Sequence, residues 1–573
     1  MTIFLLHSIR KNLMSKENNL LFIPLGGCSE IGMNMYVYGY DDGNNIDYIL
    51  VDAGVTFPNP EYNPGVDLIM PDTSFVEDNL SKFKAIFITH AHEDHIGSLT
   101  HLFEYIEAPI YCGKFTSLIA KSKIDKGGGN SNLVKIAPHY PKFIKVGSFK
   151  VGFVNISHSI PEASGLIIET PCSRVFHSGD FKIDYSPVLG KPFNKKILSE
   201  IGKKGINTLV CDSTNVFNDH HGRSESNLFD NFVNLFKKVK GIVVATTFAS
   251  NLARLKTLAS AADRTGRSLV VLGRAMNNMI NYGKESGILK DFPDILSPRD
   301  AKLVPKNHLL VLASGSQGEP RAASAQLARE SYMGFTIGKN DVFLFSSKTI
   351  PGNEIRVSYI VDQLERRGVE VIEDKNGLYH VSGHANKPDL NIFHSLISPD
   401  LIVPMHGEYR HLKEHERIAK QSGIQTLLVE NGDVAQISNS SNAAVIDKVD
   451  SGRIFLDGSV LIDEQEGIIS ERKKLMYNGL LNVSILVNEI KPYFNFEMDL
   501  IGISATVDFK KEILIHLENE LNYSIGNNKP KKLHNIESYY LEAEVRRILN
   551  KFLKSEIGKK PHISICIHRM DII

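Results

Sequence analysis

The chain is poor in the features that mark secreted and membrane proteins. Its 573 residues include five cysteines, at positions 28, 112, 172, 211 and 566. Their spacing predicts neither a disulfide framework nor a cysteine zinc site. No apolar run approaches the length of a membrane span, and the apolar residues 2–6 are too few for the core of a signal peptide. We therefore expect a cytoplasmic protein with reduced, buried thiols and no contact with a membrane.

The chain also lacks net charge. It carries 65 basic and 65 acidic residues, so a surface that binds nucleic acid must be a local patch. A length of 573 residues is too great for one core and predicts three or four domains. Met14 offers an alternative start. The intact mass of the natively expressed protein would show whether residues 1–13 belong to it.

One short run carries a dense set of metal-ligand side chains. Residues 89–97 read THAHEDHIG and contain His90, His92, Asp94 and His95. The run follows the apolar residues 85–88, which predict a buried strand, and loops after strands often position catalytic groups. Residues two apart in an extended chain point to the same side, so the first two histidines can bind one ion. Asp94 and His95 would reach a second ion from the start of a helix predicted over residues 96–106.

Three further candidate ligands lie elsewhere in the chain. His158, Asp180 and His406 each follow a short apolar stretch that predicts a strand. A carboxylate has two oxygens, so Asp180 is the natural ligand to bridge two ions. Imidazole and carboxylate together suit zinc, and also manganese. Two such ions about 3.5–4 Å apart can activate water for phosphoryl hydrolysis.

Each of these residues also has a structural interpretation. A single histidine is more often structural or exposed than a ligand, and Asp94 could simply cap a helix. Glu93 reads as a solvated loop carboxylate. Four such groups at this spacing nevertheless favour a metal site. That site by itself indicates only a dinuclear hydrolase, which fits a small-ester hydrolase as well as a nuclease.

The order of predicted elements indicates an α/β protein. Short strands alternate with helical stretches over residues 20–215, and a helix follows at 227–236. Strand-like runs then come at residues 241–246, 268–273, 308–313 and 341–346. The first two of these runs are separated by a helical segment at 251–264, and this order predicts parallel pairing.

The last part of the chain reads as a separate small unit. The Ser- and Asn-rich residues 437–449 look like a connection. Beyond residue 478, strands are predicted at 483–487 and 563–567, with a helix at 537–553 between them.

Further stretches make the chain resemble a known group of nucleases. They are LGGCSEIGMN at 25–34, VDAG at 51–54, GVDLIMPD at 65–72, CDSTN at 211–215, SSKTIPGNE at 346–354 and HVSGHA at 380–385. Together with the histidine-rich run, they resemble the β-CASP group of metallo-β-lactamase-fold nucleases. Within that group the chain is similar to the bacterial ribonuclease J family. The resemblance extends from about Leu20 to the C-terminus and is looser in the last domain.

The resemblance implies a domain organisation. We expect an α/β protein made of a metallo-β-lactamase αββα sandwich, an inserted β-CASP α/β domain and a small C-terminal α/β domain. The expected segments are an N-terminal extension at 1–19, the sandwich at 20–225, the inserted domain at 226–385, the return of the sandwich with a linker at 386–465, and the C-terminal domain at 466–573. Because the last domain supports oligomer formation in that family, a homodimer or homotetramer is expected.

The resemblance also implies residue roles. His90, His92 and His158 would hold one ion, Asp94, His95 and His406 the other, and Asp180 would bridge them. Two Zn²⁺ ions are expected, with Mn²⁺ or Mg²⁺ as alternatives. Asp94, Asp212 and His384 would be catalytic, and the loop of His380, Val381, Ser382, Gly383 and His384 would bind substrate phosphates. Taken alone, Asp212 could cap a turn, and the loop could be a simple strand-to-helix turn. A structural Ca²⁺ site is expected at Gly65, Asp67 and Asp457.

The implied activity is hydrolysis of single-stranded RNA. We expect a 5′-to-3′ exonuclease that prefers 5′-monophosphate ends and also cuts internally, in mRNA decay and rRNA maturation, with other RNA-degradation proteins as partners. The inserted domain with Asp212, His384 and His406 argues against the small-ester hydrolase. Two alternatives stay open: a DNA-processing nuclease of the same group, and a non-catalytic RNA-binding subunit. Cleavage of labelled RNA and DNA of one sequence would separate RNA from DNA specificity.

Overall fold

The computed structural model describes residues 18–102, 107–374, 376–488, 493–504, 506–527 and 537–570. The predicted N-terminal extension lies almost wholly outside these residues. The described residues form two compact units. The first combines the chain up to Thr56 with Ile69–Arg453, and the second combines Phe57–Leu68 with the chain from Ile454 onward.

The first unit contains a sandwich of mixed β-sheets. One sheet runs, in spatial order, through Ala444–Lys448, Asp433–Gln436, Asn19–Gly26, Met35–Asp41, Ile46–Val51, Phe83–Phe87, Ile110–Cys112 and Val134–Ile136. The facing sheet runs through Gln425–Thr426, Leu401–Met405, Thr208–Asp212, Arg174–His177, Ser164–Glu169, Phe149–Asn155 and Ile144–Val146. Apolar side chains from both sheets share one buried core, in which the rings of Phe87 and Phe153 lie 6.1 Å apart.

Helices cover the outer faces of the sandwich. Lys195–Lys203 and Lys387–Ile397 pack on the second sheet through side chains such as Leu198 and Phe393. Lys114–Lys126 packs on the first sheet through Phe115. Sheets buried on both faces explain why their strands read as apolar runs without alternation. The predicted αββα layering is confirmed.

The middle of the first unit is a parallel sheet with its own helices. Its strands, in spatial order, are Ile295–Leu296, Ser268–Leu272, Leu309–Ala313, Val243–Thr246, Val342–Phe345 and Glu370–Glu373. Neighbouring strands pair in parallel throughout. The helices are Phe229–Lys238, Leu252–Arg264, Arg274–Ser286, Pro298–Ala301, Ala323–Arg329 and Glu354–Arg366. The predicted strand–helix–strand order with parallel pairing is confirmed.

Short elements complete the first unit. Cys28–Ser29 pairs in parallel with Gly407–Glu408, and Leu68–Pro71 is a further short strand. The remaining α-helices are Ser74–Asp78, Glu93–Ile96, Leu99–Leu102 and Tyr409–Gln421. Turns of 3₁₀-helix occupy Leu80–Lys82, Ser131–Leu133, Glu225–Leu228, Lys306–His308 and Ser440–Asn442.

Two predicted elements differ from the structure. The helix predicted over 96–106 begins earlier, at Glu93, and is interrupted after Ile96. The interruption has a backbone cause, because the Ser98 N–H donates to the carbonyl of Ala53 instead of continuing the helix. The end of that predicted helix lies outside the described residues. The connection predicted over 437–449 contains an edge strand, Ala444–Lys448, whose side chains are all exposed and so show no apolar alternation.

The second unit is a small α/β layer. Leu480–Asn488 pairs antiparallel with Tyr493–Ile501 and parallel with His562–Met570. The helices Ile468–Asn478, Val507–Asn527 and Ser538–Ile557 belong to the same unit. Of these, only the last was predicted. The core contains Val483, Ile485, Leu517 and Leu549. The strands Arg453–Asp457 and Val460–Asp463 form a hairpin, followed by the 3₁₀ turn Glu464–Glu466.

The burial of the cysteine side chains agrees only in part with the prediction of buried thiols. All five are free thiols, and Cys28, Cys112 and Cys211 are buried. Cys172 is half-buried and Cys566 is exposed, so the prediction of buried thiols is wrong for these two. Cys566 lies on the strand His562–Met570 with its side chain exposed. None of the described helices is long and apolar enough to cross a membrane.

Candidate metal centre

The histidine-rich run is anchored at the end of the strand Phe83–Phe87. The buried carboxylate of Asp52, from the end of the neighbouring strand Ile46–Val51, accepts hydrogen bonds from the Thr89 amide (2.8 Å) and hydroxyl (2.8 Å). The Asp94 carbonyl accepts from the amide of Asn34 (2.9 Å). The run is therefore held by backbone and buried polar contacts from outside itself.

One group of potential ligands contains His90, His92, His158 and Asp180, whose ligand atoms lie within 4.8 Å of one another. His92 Nδ1 is 3.1 Å from Nε2 of His90 and 3.1 Å from Nε2 of His158. The Nε2 of His158 lies 3.7 Å from Asp180 Oδ2. Three imidazoles and one carboxylate thus converge on one position.

A second group contains Asp94, His95, Asp180 and His406, again with ligand atoms within 4.8 Å of one another. His95 Nε2 is 3.2 Å from Asp180 Oδ2, and His406 Nε2 is 3.3 Å from Asp94 Oδ2. Asp180 belongs to both groups. The structure therefore brings the seven predicted ligands together around one shared carboxylate. Asp94 lies in the first turn of the helix Glu93–Ile96 and does not occupy its N-cap, which is His92.

The residues present fit a pair of metal ions. Asp180 Oδ1 and His406 Nε2 are buried without a hydrogen-bond partner. A buried polar atom without a partner is costly, and a bound cation would supply one for each. Imidazole and carboxylate are also the ligand types that zinc uses. Glu93 points elsewhere, since its exposed carboxylate pairs with Lys123 (2.6 Å).

The candidate ligand histidines divide into two classes, one with lowered and one with raised pKa values. Burial lowers the pKa of His90, His158 and His92, the last to about 4, so these rings are neutral near pH 7. Burial would also lower the pKa of His406, but the Asp180 carboxylate and other acidic partners outweigh it and raise that pKa to about 10. The pKa of His95 is raised by the same kind of competition. A metal ion at the second group would displace these protons, so binding there releases protons.

Outward contacts set the orientation of several ligand rings. His95 donates from Nδ1 to Asp52 (2.7 Å), and His158 donates from Nδ1 to the Gly383 carbonyl (2.6 Å). The Thr214 hydroxyl donates to Asp212 (2.7 Å) and so accepts from His406 Nδ1 (3.0 Å). In each case Nδ1 is held by an outer partner and Nε2 faces the centre, where it can bind an ion once it carries no proton.

Asp52 and Thr214 contact candidate ligand histidines, and sequence reasoning did not identify either residue. Both lie in stretches quoted for the resemblance, VDAG at 51–54 and CDSTN at 211–215. The signal that could have identified Asp52 was its place directly after an apolar run typical of a buried strand. Its partner His95 is 43 positions away, and the chain alone does not show that contact.

Asp212 contacts both its own turn and His384, and a catalytic role for it stays a prediction. Its Oδ1 accepts from the Thr214 amide (2.9 Å), which caps the turn, and its Oδ2 accepts from His384 Nδ1 (2.8 Å). The pKa of His384 is raised because Asp212 and Asp180 outweigh the effect of burial. The Nδ1 atom of His384 lies 3.9 Å from Asp180 Oδ2, so this ring stands beside the centre.

The predicted substrate loop is tightly connected to the centre. Ser382 Oγ accepts from Asn215 Nδ2 (2.7 Å) and from the His384 amide (3.2 Å). At Gly383, a Cβ would lie 2.7 Å from the His158 ring. The backbone at Gly383 therefore lies close to a candidate ligand histidine. Whether the loop also binds phosphate stays a prediction.

The loop begins at His380, beside a buried ion pair. Arg254 is fully buried and donates to the Glu225 carboxylate through Nε (2.5 Å) and Nη2 (2.9 Å). It also donates to the Tyr379 carbonyl (3.2 Å) and to His380 Nδ1 (3.4 Å). Burial, followed by the charge of Arg254, lowers the pKa of His380 to about 3. Val381, which follows, is buried.

The predicted calcium residues lie in the second unit. Asp457 forms an ion pair with Arg472. Asp67 accepts a hydrogen bond from the Gly458 amide (2.9 Å), and a Cβ on Gly65 would lie 2.9 Å from the Arg472 guanidinium. An arginine cation thus occupies the surroundings in which a Ca²⁺ ion was expected, and calcium binding stays a prediction.

The sandwich and its centre define a hydrolase of the metallo-β-lactamase fold. Family models match successive segments of the chain: "Beta-lactamase superfamily domain" at residues 48–216, "Ribonuclease J, beta-CASP domain" at 240–364, "Zn-dependent metallo-hydrolase RNA specificity domain" at 369–429 and "Ribonuclease J C-terminal domain" at 467–570.

Relatives define the family more closely. Ribonuclease J of Sinorhizobium meliloti is 35% identical, covering 97% of this chain and 98% of that protein. Ribonuclease J of Synechocystis is 31% identical over 96% of this chain and 86% of that protein. The chain belongs to the ribonuclease J family. A solved structure of a protein of unknown function from Enterococcus faecalis is similar in fold alone, with a TM-score of 0.50, 17% identity, and coverage of 73% of this chain and 100% of that one.

Proposed function

We propose that the protein is a metal-dependent ribonuclease that hydrolyses phosphodiester bonds of single-stranded RNA. The observation that carries the proposal is the pair of ligand groups sharing Asp180, with His384 held beside them by Asp212. The match of residues 369–429 to an RNA specificity model supports RNA as the substrate, because that segment contains the loop at His380–His384.

The ligand set supports two Zn²⁺ ions, with Mn²⁺ or Mg²⁺ as alternatives. His90, His92 and His158 would hold one ion, and Asp94, His95 and His406 the other, with Asp180 between them. Bound there, the ions supply activated water and neutralise charge on the phosphate. The protein positions the ligands in advance, through Asp52, Thr214 and the Gly383 carbonyl.

His384 is the group best placed to handle a proton. Its side chain is 20% exposed, whereas the Asp212 carboxylate behind it is buried, so the ring is held from one side and reachable from the other. Asp212 holds Nδ1, which leaves Nε2–H free to donate. With its pKa raised, the ring can stabilise charge on the phosphate or protonate the leaving oxygen.

A small cleft lies beside the centre. Its lining includes the polar side chains of His158, Ser159, Lys182 and Ser382, and also the carboxylates of Asp184 and Glu225. The net charge of the whole chain is zero, so we expect the bound ions, rather than this cleft, to supply the attraction for RNA. Contacts of this kind read the backbone more than the bases, and little sequence selectivity follows.

The mode of cleavage and the assembly are part of the same proposal. We propose 5′-to-3′ exonuclease action preferring a 5′-monophosphate, together with internal cleavage, in mRNA decay and rRNA maturation in the cytoplasm. We also propose a homodimer or homotetramer, association with other RNA-degradation proteins, and the domain boundaries stated above. The support is membership in the ribonuclease J family.

Cleavage of matched substrates tests the proposal. One single-stranded RNA sequence carrying either a 5′-monophosphate or a 5′-triphosphate, and the DNA of the same sequence, are incubated with the purified protein while its metal content is measured. We expect the monophosphorylated RNA to decay fastest. A preference for DNA would support the DNA-processing alternative.

A pair of neighbouring variants tests the centre itself. Asp94→Ala should abolish cleavage while RNA binding persists. Glu93→Gln is the matched control, because its carboxylate is exposed and contacts Lys123, and it should cleave like the parent. Unchanged cleavage by Asp94→Ala would overturn the mechanism, and loss of RNA binding in the same variant would show a structural role.

A further inference from the structure

A second group of metal-ligating side chains lies apart from the seven ligands of the centre. Cys211, His394 and His415 offer ligand atoms within 4.8 Å of one another. They come from the strand Thr208–Asp212 and from the helices Lys387–Ile397 and Tyr409–Gln421. Their exposed fractions are 0%, 1% and 0%, so all three are enclosed. We call this group the Cys211 cluster.

The two imidazoles of the Cys211 cluster face each other through their Nε2 atoms. These atoms are 3.0 Å apart, and the ring planes differ by 12°. The Ser213 hydroxyl donates to the Cys211 carbonyl (3.4 Å) and so accepts from His415 Nδ1 (2.9 Å). With its proton on Nδ1, His415 directs an Nε2 lone pair into the cluster, the orientation that a metal ligand needs.

A hydrogen bond between the rings is the simpler alternative. It would place a proton on His394 Nε2. The buried Nδ1 of His394 has no partner in either arrangement, so it does not distinguish them. Burial lowers the pKa of both histidines, that of His415 to about 4. The two rings are therefore neutral near pH 7. Burial, followed by the charge of Asp212, raises the pKa of the Cys211 thiol, so a metal ion bound here would have to displace the thiol proton. The hydrogen bond also makes no use of the third donor, the Cys211 thiol, which lies within the same 4.8 Å.

We propose that Cys211, His394 and His415 bind a further Zn²⁺ ion. One thiolate with two imidazoles is a ligand set suited to zinc and not to the hard cations Ca²⁺ and Mg²⁺. Three protein ligands leave one position of a tetrahedral ion for a small molecule such as water. The ion would join the strand that carries Asp212 to the two helices. Its role is structural, and the site does not depend on the proposed ribonuclease activity.

Metal counting tests the site in the full chain. The parent, Cys211→Ser and Cys112→Ser are produced with zinc in the medium, and zinc per chain is measured. Cys112→Ser is the matched control, because Cys112 is equally buried but lies outside the cluster. We expect Cys211→Ser to hold one zinc equivalent fewer than the other two proteins. This difference does not depend on how many ions the centre itself binds.

Cobalt substitution provides a second readout that is specific for sulfur. The centre consists of imidazoles and carboxylates, so a sulfur-to-cobalt charge-transfer band in the near ultraviolet can come only from a cysteine site. We expect the band in the cobalt-loaded parent and in Cys112→Ser, and its loss in Cys211→Ser. His394→Gln, which keeps the thiol, should lose the same zinc equivalent. Equal zinc contents in all four proteins, or a cobalt-loaded parent without the band, would overturn the proposal.

Discussion

Replacing Asp52 with asparagine would test how strongly a buried carboxylate controls metal affinity when it contacts a candidate ligand histidine and not the ion itself. Asp52 is fully buried, and its Oδ2 lies 2.7 Å from His95 Nδ1. The same carboxylate accepts from both the amide and the hydroxyl of Thr89. An amide side chain offers one oxygen in place of two, so Asp52→Asn cannot accept all of these hydrogen bonds. If its NH₂ group faces His95, the ring proton must move to Nε2, which removes the lone pair that would bind the ion.

The expected effect can be estimated from this geometry. Loss of an outer partner of a ligand histidine typically costs about 10–100-fold in metal affinity. At about 1.4 kcal/mol for each factor of ten, this is roughly 1.4–2.8 kcal/mol. Competition with a zinc chelator measures the affinity directly. In parallel, RNA cleavage is titrated with zinc, and we expect the half-maximal zinc concentration to rise by the same factor.

A second aspartate supplies the control. Asp47, on the strand Ile46–Val51, accepts from the amide (3.0 Å) and hydroxyl (2.9 Å) of Ser148 and makes no contact with a predicted ligand. Asp47→Asn should therefore leave the zinc affinity unchanged. If Asp52→Asn binds zinc and cleaves RNA as the parent does, Asp52 serves only to stabilise its turn, and the argument from His95 fails.

Three other changes have defined outcomes. Gly383→Ala should lower zinc affinity and turnover about tenfold or more by displacing His158, because its Cβ would lie 2.7 Å from that ring. A normal circular dichroism spectrum would exclude misfolding. Unchanged zinc affinity would contradict the contact. Arg254→Met should lower the free energy of unfolding by about 3–5 kcal/mol, since it leaves the Glu225 carboxylate buried without its partner. Urea denaturation measures this loss. The double variant that also carries Glu225→Gln should regain part of the lost stability. The free energy of unfolding should fall as the pH drops from about 6.5 toward 3, because burial lowers the pKa of His177 from 6.5 to about 3 and the unfolded chain takes up the proton first. The slope is about 1.4 kcal/mol per pH unit for this group. Denaturation at pH 7 and pH 5 measures the slope, and His177→Phe should reduce it.

The convergence of the seven candidate metal ligands could be predicted because their signal is local. His90, His92, Asp94 and His95 lie within one run, and the other three ligands each follow an apolar strand. Strand ends collect at one edge of a sheet, so their convergence followed from the pattern. The inserted parallel sheet was predictable for the same reason, since strand and helix alternate along the chain.

What was missed depends on contacts between distant segments or on exposed elements. Thr214 orients His406 across 192 positions, and neither residue type indicates that contact. The strand Ala444–Lys448 is exposed along its whole length, so it lacks the alternation by which strands are recognised. The contact between the Gly383 carbonyl and His158 likewise depends on the fold.

The chain order of the ligands has a consequence for protein synthesis. The inserted sheet, Val243–Thr246 to Glu370–Glu373, is translated after Asp180 and before His406. A ribosome releases the chain from its N-terminus, so the sandwich strands emerge first. Until the strand Leu401–Met405 has emerged, a growing chain carries six of the seven candidate ligands and lacks His406. The second ligand group is therefore completed only when the chain crosses back into its first domain.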